Sequence, residues 1–183
     1  MRAEIPRDEV APVELVPMKR RHVRDVLAIE REVYPRPWSA GLFFSEITQR
    51  KTRHYIVAQV DKQVVGYGGL MVHAEEAHIT TIAVQPSHQH RGIGARLMLD
   101  LVSEARARAA RTIALEVRMA NWPAQRLYAW FGFRPVGVRK NYYAETGEDA
   151  LIMWNDDLQG ADIEARLLRV RDKLGLFVER SLE

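Results

Sequence analysis

Apolar side chains recur at Val23, Val26, Leu27, Ile29 and Val33 between Lys19 and Val33, the three-and-four spacing of a helix that buries one face. Pro35, Arg36, Pro37 and Trp38 interrupt the pattern, and Ser39 is placed to cap a second helix running to about Gln49. The period then shortens to that of strands. Tyr55–Val60, Val64–Val72 and Ala77–Val84 read as an antiparallel meander, the first two joined by an Asp61-Lys62 turn. A helix is expected from about Gly92 to Ala110, with Leu97, Leu101 and Ala105 on one face. A strand follows at Arg111–Val117, and then a helix that begins near Asn121 and runs over Pro123–Phe131. Two further strands, Arg134–Tyr143 and Ala150–Trp154, flank a Glu145-Thr146-Gly147-Glu148 turn. A short strand at Val13–Pro17 precedes everything, and Asp162–Leu174 reads as an amphipathic helix. The order β-α-α-β-β-β-α-β-α-β-β predicts an α+β fold with a mixed sheet layered by helices. Residues 1–12 are expected to form a loose arm, 13–155 the domain, and 156–183 a helical tail.

Composition narrows the function classes. The 183 residues are 47% hydrophobic and 28% charged, enough for one ordinary core. No apolar run approaches the roughly 20 residues of a membrane span, and Met1–Pro6 lacks the apolar stretch of a secretory signal. A cytoplasmic protein with no membrane contact is expected. With no cysteine, disulfides, thiolate metal sites and a cysteine nucleophile are excluded. The six histidines have no zincin spacing, and no metal is expected. A net charge of +3 without a clustered basic stripe argues against direct nucleic-acid binding, although it suits an anionic ligand.

The most informative segment is Gln89-His90-Arg91-Gly92-Ile93-Gly94-Ala95, between a strand and an amphipathic helix. Unpaired amides at a helix start, together with the positive end of its dipole, favour an anion, and glycine lets phosphate approach the backbone. The segment lacks the Gly-Lys-Ser/Thr ending of a nucleotide P-loop, and Leu97 stands where a dinucleotide fingerprint needs its third glycine. An ordinary tight turn remains the alternative. Gln89-x-x-Gly92-x-Gly94 nevertheless resembles the acetyl-CoA signature of the GNAT acyltransferases. Leu115-Glu116-Val117-Arg118, Asn121, Ala124, Leu127-Tyr128 and Phe131-Gly132-Phe133 are similar to that superfamily's second cofactor segment. The resemblance covers roughly residues 13–155. It implies the GNAT fold, a mixed, mostly antiparallel central sheet flanked by helices, and acetyl-CoA as co-substrate.

Tyr34-Pro35-Arg36-Pro37-Trp38-Ser39 and Arg139-Lys140-Asn141-Tyr142-Tyr143 followed by Glu148-Asp149-Ala150 are similar to the RimI-type N-terminal acetyltransferases. That resemblance implies transfer of acetyl to the α-amine of an N-terminal alanine, or another small residue, of a small-subunit ribosomal protein. It implies Glu116 as the base acting through water and Tyr128 as the acid that protonates the departing thiolate. The backbone of Ile82, Ala83 and Val84 would pair with the pantetheine arm, and the Val84 amide would hold the thioester oxygen. The amides of His90, Arg91, Gly92, Ile93, Gly94 and Ala95, with Gln89, would take the pyrophosphate, and Asn121 would reach the pantetheine. Tyr34, Trp38, Tyr142 and Tyr143 would line the acceptor groove, with His78 able to approach Glu116.

Each residue has a structural alternative. Glu116 can be the exposed face of a half-buried strand, Tyr128 a core aromatic, Asn121 a helix cap and Trp38 core packing. Rival functions are a GNAT that acetylates lysine side chains or small-molecule amines, a non-catalytic acyl-CoA-binding module and an RNA- or ribosome-binding domain.

Overall fold

A computed structural model describes residues 12–176. The strands are β1 Glu14–Pro17, β2 Arg53–Val60, β3 Gln63–His73, β4 Glu76–Val84, β5 Thr112–Arg118, β6 Arg134–Tyr143 and β7 Glu148–Asn155. The helices are α1 Val23–Val33, α2 Ala40–Thr48, α3 Ile93–Ala107, α4 Trp122–Trp130 and α5 Ala161–Lys173. The predicted order of elements stands, with small shifts at the ends. The first turn of the first helix is a separate 3-10 turn at Arg20–His22, and α3 stops three residues short of Ala110 because Ala109 turns to φ 61°. Ser39 caps α2 as expected, accepting the Leu42 amide at 3.2 Å. The arm expected at 1–12 lies outside the described residues except for Pro12.

All seven strands form one sheet in the order β1-β2-β3-β4-β5-β7-β6. Neighbours are antiparallel except β4 and β5, which α3 connects as a parallel crossover. Helices cover both faces. Val26 and Ile29 of α1 and Phe43 of α2 pack with Val57 and Tyr67 on one face. On the other, Leu97 and Leu101 of α3, Phe131, and Ile163, Leu167 and Val170 of α5 close over Ile79, Ile113 and Leu115. The tail therefore contributes to the core. Among the described residues no helix is long and apolar enough to cross a membrane.

Two departures from regular pairing create the site. The β4–β5 register runs only from Glu76↔Thr112 to His78↔Ala114, after which the strands part. A bulge at Thr80 interrupts the β3–β4 register. Before it, Ala77 and Ile79 face the α3 side; after it, Ala83 packs on the α1 side, so the alternation has changed face. A bulge bends the strand that carries it and sharpens its twist, consistent with β4 leaving β5 here.

Candidate active site

Where β4 leaves β5, its backbone faces a gap. The Gln85 amide bonds the Val65 carbonyl of β3 at 2.8 Å, so by antiparallel alternation Val84 and Ile82 turn their backbone groups away from β3: the Ile82 carbonyl accepts the Tyr34 hydroxyl at 2.7 Å, and the Val84 carbonyl accepts Gln89 Nε2 at 3.0 Å. The N–H and C=O of one strand residue point the same way, which aims the Ile82 and Val84 amides into the gap. Tyr34, expected to line the acceptor groove, has its hydroxyl fixed to this edge, where burial pushes its pKa up.

The glycine segment lies at the gap's end. His90 and Gly92 both take left-handed conformations, φ 61° and 77°, and Gly92 caps α3. The helical ladder first closes with the Arg96 amide on the Gly92 carbonyl at 3.0 Å. The amides of Ile93, Gly94 and Ala95 thus have no intrahelical acceptor and stand at the positive end of the dipole. Gly94 allows a second close approach: a Cβ there would lie 3.3 Å from Leu127 of α4, tighter than ordinary contact. A side chain at Gly94 would thus meet α4 first.

Two of the residues expected to do chemistry, Glu116 and His78, meet on the sheet face turned away from α3. Alternation on β5 buries Ile113, Leu115 and Val117 and turns Glu116 and Arg118 to the opposite face. Glu116 Oε2 is 2.9 Å from His78 Nε2, and its Oε1 is 3.5 Å from Arg139. The His78 hydrogen bond holds the Glu116 carboxyl below its ordinary pKa, aided by the charge of Arg139, while partial burial works against them. Tyr142 and Tyr143 are near enough for that carboxylate to raise their pKa values, although burial is the larger cause, and it pushes Tyr143 up to about 12. Tyr128 reaches the same region from α4, 6% exposed, its ring 6.1 Å from Phe133. Burial drives its pKa up, and Tyr34 and Tyr143 add to the effect. Its phenol is therefore a weaker acid than a free tyrosine, and it stays protonated across neutral pH.

Asn121 holds the structural position foreseen as its alternative: Oδ1 accepts the Ala124 amide at 3.2 Å and caps α4, leaving the side-chain nitrogen uncommitted to that bond. The Trp38 ring lies tilted against Phe43, centroids 5.3 Å apart, so it packs on the α1–α2 cluster.

Sequence reasoning missed two residues. Arg118 bonds Glu148 and Glu145, each at 2.8 Å, and its guanidinium lies 3.8 Å from the Tyr143 ring centroid. Burial opposes this charge, but the bonds from Glu148 and Glu145 outweigh it and raise the pKa. The clamp ties the β6–β7 turn to β5 and fixes Tyr143; its signal was the parity of Arg118 with Glu116. Glu30, 1% exposed, accepts the Tyr67 hydroxyl and, at 2.8 Å, the Trp38 amide. Burial raises its pKa. It fastens the Pro35–Trp38 loop to β3, and no local pattern betrayed it because Tyr67 is distant in sequence.

A cavity of about 370 Å³ lies elsewhere, beside Lys19, Arg50, Arg53, His54 and Arg108. Arg53 and Arg108 there are already paired with Glu46 and Glu104, whereas Glu116, His78 and Arg139 converge beside the parted strands.

Residues 23–133 match the sequence profile of the acetyltransferase (GNAT) family. The chain is 39% identical over 137 residues to a Bacillus subtilis protein provisionally named a ribosomal protein bS18-alanine N-acetyltransferase, covering 75% of this chain and 91% of that one. It is 36% identical over 127 residues to the Salmonella typhimurium ribosomal protein bS18-alanine N-acetyltransferase, covering 68% and 84%. The crystal structure of the Escherichia coli ribosomal-protein-S18-alanine N-acetyltransferase superposes with a TM-score of 0.73 at 28% identity, covering 82% of this chain and 98% of that one.

Proposed function

The chain belongs to the acetyltransferase (GNAT) family as an acetyl-CoA-dependent N-acetyltransferase of RimI type, and we propose that its acceptor is the α-amine of an N-terminal alanine or other small residue, on a small-subunit ribosomal protein. The observation that carries this reading is the Glu116–His78 pair at the mouth of the parted strands, within reach of the unpaired β4 amides.

The geometry supports the following division of labour. The amides of the 90–95 loop hold the diphosphate, and the Ile82 and Val84 amides align the pantetheine arm as an added strand. The Val84 amide meets the thioester oxygen, where negative charge develops as the amine adds. A proton leaves the amine through water to Glu116, with His78 ordering that water or relaying the proton. The C–N bond forms, the C–S bond breaks, and Tyr128 gives its proton to the departing sulfur.

Acceptor class follows from base strength. Glu116 is held ionised and weakly basic. An α-amine, with pKa about 7.7–8.0, yields its proton far more readily than a lysine at about 10.4. Turnover on peptides beginning with alanine is therefore expected to exceed turnover on the same peptides N-terminally blocked and carrying an internal lysine. Equal rates on the two would reject the assignment in favour of a lysine acetyltransferase. No turnover on either, with acetyl-CoA bound, would favour a binding module.

A further inference from the structure

Helix α5 begins 28 residues beyond the end of the family match at residue 133 and ends against the glycine loop. It runs antiparallel to α3. Near its start Glu164 pairs with Arg106 of α3, midway Arg166 Nη1 donates to the Ala129 carbonyl at 3.3 Å, and near its end the Lys173 ammonium lies 4.8 Å from the Trp130 ring centroid. Ile163, Leu167 and Val170 anchor it in the core.

The last turn makes two contacts at the loop. A Cβ built on Gly92 would lie 3.0 Å from Leu174 Cδ2, so Leu174 fills the space outside the left-handed turn. Arg96 Nη2 donates to the Leu174 carbonyl at 3.2 Å, while the Arg96 amide closes on the Gly92 carbonyl at 3.0 Å. One residue therefore ties the loop's pivot to the end of α5. Arg96 Nε is buried and donates no hydrogen bond among the described residues, and partial burial lowers the Arg96 pKa. Carbonyls at a helix end would repel an anion nearby; Arg96 occupies one of them, and Arg171 and Lys173 make the last turn basic.

We propose that α5 is the outer wall of the diphosphate loop and that its docking is thermodynamically coupled to acetyl-CoA binding. Leu174, at the end of α5, is the side chain that a Cβ on the left-handed Gly92 would meet, so the docking of α5 bears directly on the shape of this turn. If docked α5 favours the loop shape that binds, acetyl-CoA must favour docked α5 by the same factor. The inference rests on the assignment of the diphosphate to the 90–95 loop.

The test has two arms. In the wild type, hydrogen exchange of the α5 backbone is measured with and without acetyl-CoA, and slower exchange toward Leu174 is expected on binding. In Leu174→Ala, calorimetry with acetyl-CoA is expected to show affinity reduced about fivefold or more. The peptide KM and the kcat at saturating acetyl-CoA should stay at wild-type values. Unchanged exchange in the first arm, or a folded Leu174→Ala with wild-type affinity and merely lower Tm, overturns the proposal and leaves α5 a stabilising helix. The exchange arm needs no variant and decides the matter if Leu174→Ala does not fold. Wild-type acetyl-CoA affinity in folded Gly94→Glu is a separate outcome: it removes the loop assignment, and the coupling with it.

Discussion

His78 Nε2 and Glu116 Oε2 stand 2.9 Å apart across the place where β4 and β5 stop pairing, one side chain from the last shared rung and the other from two residues beyond it. The pair joins an imidazole to a carboxylate that a second cation, Arg139, also touches. A carboxylate so placed is ionised whenever the enzyme works. In the proposed mechanism it receives a proton briefly and fixes the ring, and does not titrate near neutrality.

Glu116→Gln keeps the size and polarity of the side chain and cannot take the proton. Its kcat/KM is expected to fall by about 10²-fold near pH 7 and to recover as pH rises through the amine's own pKa of about 8. Because the carboxyl is held below 4.5, a fall in wild-type rate between pH 8 and 6 is expected to follow protonation of the amine and not of Glu116. A Glu116→Gln profile parallel to the wild type at every pH would make Glu116 structural.

Tyr128→Phe keeps the buried ring and removes the proton donor. Turnover is expected to fall about 10-fold or more, with the KM for acetyl-CoA unchanged and no recovery at high pH. Burial already keeps this phenol protonated, so the wild type should show no alkaline limb from it below about pH 10. An equal loss in acetyl-CoA affinity would show that the hydroxyl serves binding.

Gly94→Ala and Gly94→Glu separate packing from charge at the loop. The alanine Cβ meets Leu127 at 3.3 Å, which a small shift of α4 relieves, so modest loss of acetyl-CoA affinity is expected. The glutamate adds a negative charge beside the amides of Ile93 and Ala95 and should reduce binding severely in calorimetry, with the circular dichroism spectrum intact. Similar affinities for the two variants would place the diphosphate elsewhere.

Glu30 makes a stability prediction with a defined sign. Burial raises its folded pKa above 4.5, so between that value and the raised one the folded chain binds more protons than the unfolded chain. Stability from this group is therefore present at low pH and is lost as pH rises through the folded pKa. Glu30→Gln puts an amide nitrogen, a donor, in place of one of the two oxygens that accept the Tyr67 hydroxyl and the Trp38 amide, and it should lower Tm by several degrees at pH 5. The gap to wild type should narrow toward pH 8; a gap that widens would contradict the sign.

Local physics made much of this protein legible. The helical spacing of Val23–Val33 and Leu97–Ala105, the turn at Asp61-Lys62 and the Ser39 cap depend on neighbours within a few residues, and each element formed where it was read. The glycine loop was legible for the same reason, since a left-handed Gly92 before an amphipathic helix is a local conformation. What the sequence left open is set by contacts between distant segments. The bulge at Thr80 follows from the match of β3 to β4, and the insertion of β7 between β5 and β6 from the pairing of whole strands. Alternation along β5 could not say whether Glu116 faced water or a partner; the register that brings His78 beside Ala114 decided it. Glu30 with Tyr67, Arg118 with Glu148, and Leu174 with Gly92 are pairs of the same kind. A chain's pattern fixes which face of each element is apolar, but only packing the faces together fixes which polar groups are buried side by side, and that burial sets their charge and their chemistry.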